Sequence, residues 1–277
     1  MPKMLGLVAS LLLLISLSPQ ALADSTPTTI ASENGNSLQS ALASPLRSQK
    51  NRARDLYRHP LETLQFFGLR PEMTVVELWP GSGWYTEILA PFLAPKGQLI
   101  VSSLDPKLNR AAQTFQEKLS ANSTAFGKVK VVQIDPPTQL TLAPPNTVDL
   151  VLTFRNIHNW ISAGYAEQVY KAAFKALKPG GILGLEEHRA KSGSPLTESV
   201  KTGYLPEADV IAALEKVGFK LLGKSEINAN PKDTKNYSGG VWTLPPTLSQ
   251  GEKDKAQYVS IGESDRMTLK FIKPKGP

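Results

Sequence analysis

The stretch VVELWPGSGWYTEILA, Val75–Ala90, decides the fold. Val75, Val76 and Leu78 make a short apolar run of strand type, Pro80–Gly83 break it, and the residues from Trp84 onward carry a helical pattern. A buried strand that ends in a glycine turn and feeds a helix lets backbone come close to a ligand and aims free N–H groups at it. Where the tightest turn calls for glycine stands Trp79. Tryptophan adds a Cβ and an indole, so it is expected to take ordinary dihedrals and to need room for its ring. That ring either forms a wall of the ligand cleft or fills it. Pro80 also removes one donor from the turn.

Outward from this stretch the chain alternates. Strands are expected over residues 74–79, 98–104, 128–134, 148–154 and 181–187, with helices near 83–93, 106–121 and 162–177. Near-continuously apolar strands separated by helices imply a parallel sheet covered on both faces. A further helix over 205–219 precedes a strand over 220–227, and 267–273 closes the chain as another strand. With no helix between them, these last two form an antiparallel pair at the sheet edge. Ahead of the sheet, residues 48–70 read as two helices broken at His59–Pro60. Between the last two strands, residues 228–266 are dense in Asn, Pro, Gly, Lys and Asp. So long an insertion either covers a ligand or decorates the surface.

The first residues read as an export signal. Lys3 precedes the 13-residue apolar run LGLVASLLLLISL, and Ala21-x-Ala23 predicts cleavage before Asp24. The run is shorter than the roughly 20 residues of a membrane span, so no integral span is expected after processing. Residues 24–47 read as a flexible linker and 48–277 as one domain. The chain of 277 residues contains no cysteine, which excludes disulfides, thiolate metal sites and lipid attachment at a leader cysteine. Processing takes Lys3 from the 31 basic residues and none of the 24 acidic ones, leaving a net charge of +6. The basic residues are scattered and not interleaved with aromatics along one face, so they read as a solvated basic surface and not as a nucleic-acid site; the expected partner is a small-molecule substrate.

In an open parallel sheet the ligand lies beyond the carboxyl ends of the strands. After the first strand come Glu77, Gly81, Ser82 and Gly83. Asp105 follows the second strand, 22 residues beyond Gly83, the separation at which an acid accepts hydrogen bonds from ribose hydroxyls. Asp135 follows the third, RNIHNW (155–160) the fourth and EEHRA (186–190) the fifth. His158 and His188 therefore reach one rim, as general bases or as hydrogen-bonded rim residues. With Glu186 or Glu187 they supply metal-binding residue types, but no ligand spacing supports a metal and none is expected. Asn156, Trp160 and Glu187 are the candidates for substrate contact. A dinucleotide fingerprint needs a third glycine where Thr86 stands.

Together these motifs resemble the class I S-adenosylmethionine-dependent methyltransferases. Glu77-Leu78-x-x-Gly81-x-Gly83 is similar to their first motif, Asp105 stands at their ribose-binding acid, and FKALKPGGIL (174–183) resembles the turn before their fifth strand. More narrowly, ELWPGSGWYTEILAP, NIHNW, EEHRA and IGESDRMTLKF resemble an uncharacterised bacterial group of exported predicted methyltransferases. The resemblance implies a Rossmann-like α/β sheet with a terminal antiparallel pair. It also implies S-adenosylmethionine as cofactor, S-adenosylhomocysteine as product, and methyl transfer to a small molecule or envelope component. Glu77, Trp79, Gly81, Ser82, Gly83, Asp105 and Asp135, the last near the adenine amino group, would hold the cofactor. Trp79 departs from the family's glycine, which leaves a second expectation open: an exported, non-catalytic binding protein on the same scaffold.

Overall fold

The structure is a computed structural model that describes Pro2 and residues 38–276; the expected export signal and most of the expected linker lie outside the described residues. Seven strands form one sheet: β1 (Thr74–Leu78), β2 (Gln98–Ser103), β3 (Lys130–Gln133), β4 (Val148–Phe154), β5 (Leu177–His188), β6 (Lys220–Ser225) and β7 (Arg266–Ile272). Their order is β3-β2-β1-β4-β5-β7-β6. β1 pairs in parallel with β2 and with β4, whereas β7 pairs antiparallel with both β5 and β6. The strand order therefore reverses at β1, between β2 and β4, and a crevice opens there beyond the strand ends.

The central strands are buried on both faces, which explains their near-continuous apolar runs. On one face Val76, Val151, Leu183 and Leu269 pack with Trp160 and Tyr170. On the other, Val75, Leu99, Val101 and Leu150 pack with Ile88, Leu89 and Phe67. Helices α1 (Pro60–Phe67), α2 (Thr86–Leu93), α3 (Arg110–Ala121), α4 (Ile157–Ser162), α5 (Ala166–Ala176) and α6 (Glu207–Val217) cover these faces. Pro60 at the first position of α1 costs no hydrogen bond, and His59 before it turns left-handed (φ 38°), which makes the break expected at that dipeptide.

Three expectations need correction. Residues 38–47 are not linker: 38–43 are helical, Leu38 and Ala41 join the core, and buried Arg47 forks onto Asp55 with two 2.7 Å bonds. Trp79 does not take ordinary dihedrals. It sits left-handed at φ 45°, the conformation the turn demands, at a cost of about 1 kcal/mol for a residue with a Cβ. The insertion, 228–266, carries a helix of its own, α7 (Lys255–Ile261), and its polar side chains bind inward. Asn228 donates to Thr63 and Thr268 Oγ1 (2.9 and 3.0 Å), and Asp233 accepts from the Tyr204 hydroxyl and the Asp265 N–H.

Candidate active site

The crevice at the β1/β4 switch holds a cleft of about 110 Å³, walled by Trp79–Gly81, Ser102–Leu104, the start of α3 and Asn156. Gly81 (φ 58°) faces open space: a Cβ built there meets nothing within 4 Å. Gly83 serves packing instead, since a Cβ on it would lie 2.8 Å from the Phe115 ring. The Trp79 indole turns onto Trp160 (5.0 Å between centroids) and stacks at 6.5 Å with Tyr165. It forms a wall and leaves the turn open. The backbone N–H of Trp79 donates to Ser102 Oγ (3.2 Å), while Asn156 Nδ2 donates to the carbonyls of Leu78 and Trp79. Asn156 thus ties β4 to the β1 turn from within the cleft wall.

Two other residues expected at the cofactor work locally. Glu77 is buried and accepts from Thr86 Oγ1 (2.6 Å), bracing the end of β1 against the start of α2; burial pushes its pKa up to about 7. Asp135 is exposed and closes the turn 135–139, outside the cleft wall. Asp105 is half-buried and follows Leu104 of the cleft wall without lining the cleft itself. One of its carboxylate oxygens accepts from the Lys107 N–H (2.8 Å). Ser82 is exposed on the turn, and its carbonyl accepts from Lys118 Nζ.

A second cavity, about 240 Å³, lies across the β4–α4 turn. Its polar side is built by Arg54, Arg58, Arg155, His158, His188, Glu263 and Ser264; Val241, Trp242 and Pro245–Thr247 of the insertion form its other side. The two histidines come together as expected, 5.4 Å between ring centroids. Nδ1 of His158 lies 3.0 Å from Glu187 Oε1. A carboxylate oxygen accepts, so Nδ1 is the donor in this contact and Nε2 is the ring nitrogen that Glu187 leaves free. Glu187 is wholly buried and also accepts from the N–H groups of Ile157 (2.7 Å) and His188 (2.9 Å). Nδ1 of His188 lies 2.6 Å from Ser264 Oγ; burial, then His158 and the arginines, push its pKa well down, so its ring is neutral near pH 7.

Behind the histidines four guanidinium groups meet two carboxylates. Glu263 takes Arg54 (2.7 Å), Arg58 (3.0 Å) and Arg266 (3.0 Å); Glu186 takes Arg155 (2.6 Å) and Arg266 (3.1 Å). The Tyr85 hydroxyl donates to Glu186, and its ring stacks on Phe154 at 3.5 Å. Burial raises the carboxyl pKa of Glu186, but Arg266, Arg155 and Arg58 outweigh it and hold the group below the usual range. Arg155 is left-handed (φ 60°), a strained backbone that aims its side chain along the β5 end.

Of the residues expected to touch substrate, none lines this second cavity. Trp160 is core, 2 % exposed between Trp79 and Tyr170, because α4 turns its ring inward. Glu187 orients His158, and Asn156 belongs to the first cleft. The sequence reading missed Arg54, Arg58, Glu263, Ser264 and Trp242, which lie far apart in the chain. The neighbours Asp265 and Arg266 take different partners: Asp265 pairs with Arg189 and Lys235, and Arg266 with Glu186 and Glu263.

Comparison with known proteins agrees with this geometry. A family model described as a methyltransferase domain matches residues 76–185. The chain is 26% identical over 211 residues to the ubiquinone/menaquinone biosynthesis C-methyltransferase of Hydrogenovibrio crunogenus, covering 74% of each. Among solved structures, phosphoethanolamine N-methyltransferase 2 of Haemonchus contortus, in complex with S-adenosyl-L-methionine, superposes with TM-score 0.52 at 17% identity. That match covers 79% of this chain and 53% of the other. The [4+2]-cyclase SpnF superposes with TM-score 0.56 at 15% identity, covering 89% of this chain and 96% of the other. The domain is a class I S-adenosylmethionine-dependent methyltransferase, an enzyme whose cofactor is S-adenosylmethionine.

Proposed function

We propose that this enzyme methylates a small molecule or envelope component seated in the second cavity, with cofactor in the first and His158 as the base. Envelope components enter because the leader expected over residues 1–23 would carry the domain out of the cytoplasm. One observation carries the reading: the two cavities share the β4–α4 turn, with Asn156 in the wall of one and Arg155 and His158 in the wall of the other. When bound, S-adenosylmethionine supplies a methyl group on a sulfonium. The open backbone at Gly81, the Trp79 wall, Ser102–Leu104 and the adjoining acid Asp105 are the groups that would hold it. The protein then has to align the acceptor and remove one proton. Nε2 of His158, on the side of the ring away from the Nδ1 contact with Glu187, is the atom that takes it.

The non-catalytic alternative is not favoured, because the indole lies against Trp160 and Tyr165 and leaves Gly81 open. Calorimetric titration of Asp24–Pro277 with S-adenosylhomocysteine tests the proposal. Saturable binding, weakened at least about tenfold by Asp105→Ala, is expected from loss of a ribose partner. No binding by a protein that melts cooperatively would overturn it.

A further inference from the structure

We propose that the methyl acceptor is a small organic anion whose acidic group, a carboxylate or a phosphate, docks on Arg54, Arg58 and Arg155, placing its reacting atom before His158. This rests on the methyl-transfer reading and narrows its substrate class.

The argument begins with charge. Four guanidinium groups against the carboxylates Glu186 and Glu263, with Glu187 beside them on His158, leave at least one positive charge uncompensated in a largely buried cluster. Burying unpaired charge is costly, and an anion in the cavity relieves that cost. Burial first, and the neighbouring Arg155 next, bring the pKa of Arg58 down to about 9.

The donors point the same way. Arg58 is 4 % exposed, bonds Glu263 through Nε and lies with its guanidinium over the Trp84 ring at 4.7 Å, on the wall of the cavity. Arg54 also bonds Glu263 through Nε, and its Nη2 is buried without a partner. Guanidinium forks match carboxylate and phosphate oxygens in a way that a neutral ligand does not. The opposite side of the cavity, Val241, Trp242 and Pro245, is apolar and suits the body of a small organic acid.

His158, Glu187 and His188 have ligand atoms within 4.8 Å of one another, the residue types of a metal site. Two features oppose a cation there. Glu187 already accepts three hydrogen bonds from the protein, and the arginines, with their uncompensated charge, stand beside the histidines.

The test is calorimetry on Asp24–Pro277 saturated with S-adenosylhomocysteine, using benzoate, phenyl phosphate, benzyl alcohol and benzylamine as probes. At least one anion should bind saturably and at least tenfold more tightly than the neutral and cationic probes. The preferred anion tells carboxylate from phosphate. Arg54→Gln should weaken it at least tenfold without unfolding the protein, since Glu263 keeps Arg58 and Arg266; Arg155→Gln should do the same. If S-adenosylhomocysteine binds but neither anion does, or if both variants bind the anion unchanged, this inference falls alone. An anion that binds to a protein with no affinity for S-adenosylhomocysteine overturns the methyl-transfer reading and the inference with it.

Discussion

Glu77 shows how one residue of a recognisable motif divides between fold and function. The motif led to a cofactor ligand, whereas its carboxyl is 2 % exposed and bonded to Thr86. Its folded pKa of about 7 lies above the ordinary 4.5 of a glutamate, so its contribution to stability is complete below about pH 4.5 and is lost as the pH rises through about 7. The shift corresponds to about 3 kcal/mol. Glu77→Gln keeps a partner for the Thr86 hydroxyl and has no charge to bury. Urea unfolding should therefore show wild type losing stability between about pH 5 and pH 8 while the variant stays level; parallel curves would refute the assignment. Trp79 is the complementary case: a left-handed residue whose strain is offset by ring contacts with Trp160 and Tyr165. Both of its contacts lie about 80 residues away in the chain, so its place as a wall was beyond local reasoning.

At the scale of elements, the packing of α1 on β5 fixes how the N-terminal arginines reach the second cavity. Gly184 of β5 has no room for a side chain, since a Cβ would lie 2.6 Å from the Phe67 ring. Phe67 is itself 1 % exposed and cannot withdraw. Gly184→Ala should thus destabilise by about 1–3 kcal/mol, the usual cost of overpacking, as read from the urea midpoint. If the N-terminal segment is displaced, anion binding at Arg54 should weaken too. Unchanged stability would mean that α1 docks more loosely than the geometry requires. Strand periods, the break at His59–Pro60 and the antiparallel edge pair were legible in the sequence because each is a local pattern of apolar spacing and turn residues. The lower end of β5 was not, since Lys178-Pro179-Gly180-Gly181 reads as a turn and is drawn into the strand by pairing with β4 and β7.

For the whole molecule, Glu263 is the joint. It binds Arg54 and Arg58, more than 200 residues earlier, and Arg266 beside it. Burial raises its pKa, but Arg58, Arg266 and Arg54 overcome this and bring it down to about 2. Its contribution is complete above the ordinary glutamate value of 4.5 and is lost as the pH falls through about 2. Glu263→Gln should remove about 3 kcal/mol at pH 7 and flatten the acid limb of the stability curve. Equal acid sensitivity in variant and wild type would show that the joint does not hold the termini together. The sequence by itself determined the α/β sheet, its glycine turn, the methyltransferase class and the two rim histidines, because strand ends deliver these residues wherever the loops go. Only the tertiary structure decided that Trp79 is a wall, that Glu187 serves His158, and that arginines from the N-terminal segment and from the end of β4 share one cavity with the insertion. Those pairings join positions 29 to 209 residues apart, and charge and shape complementarity over such distances leave no periodic trace in a chain.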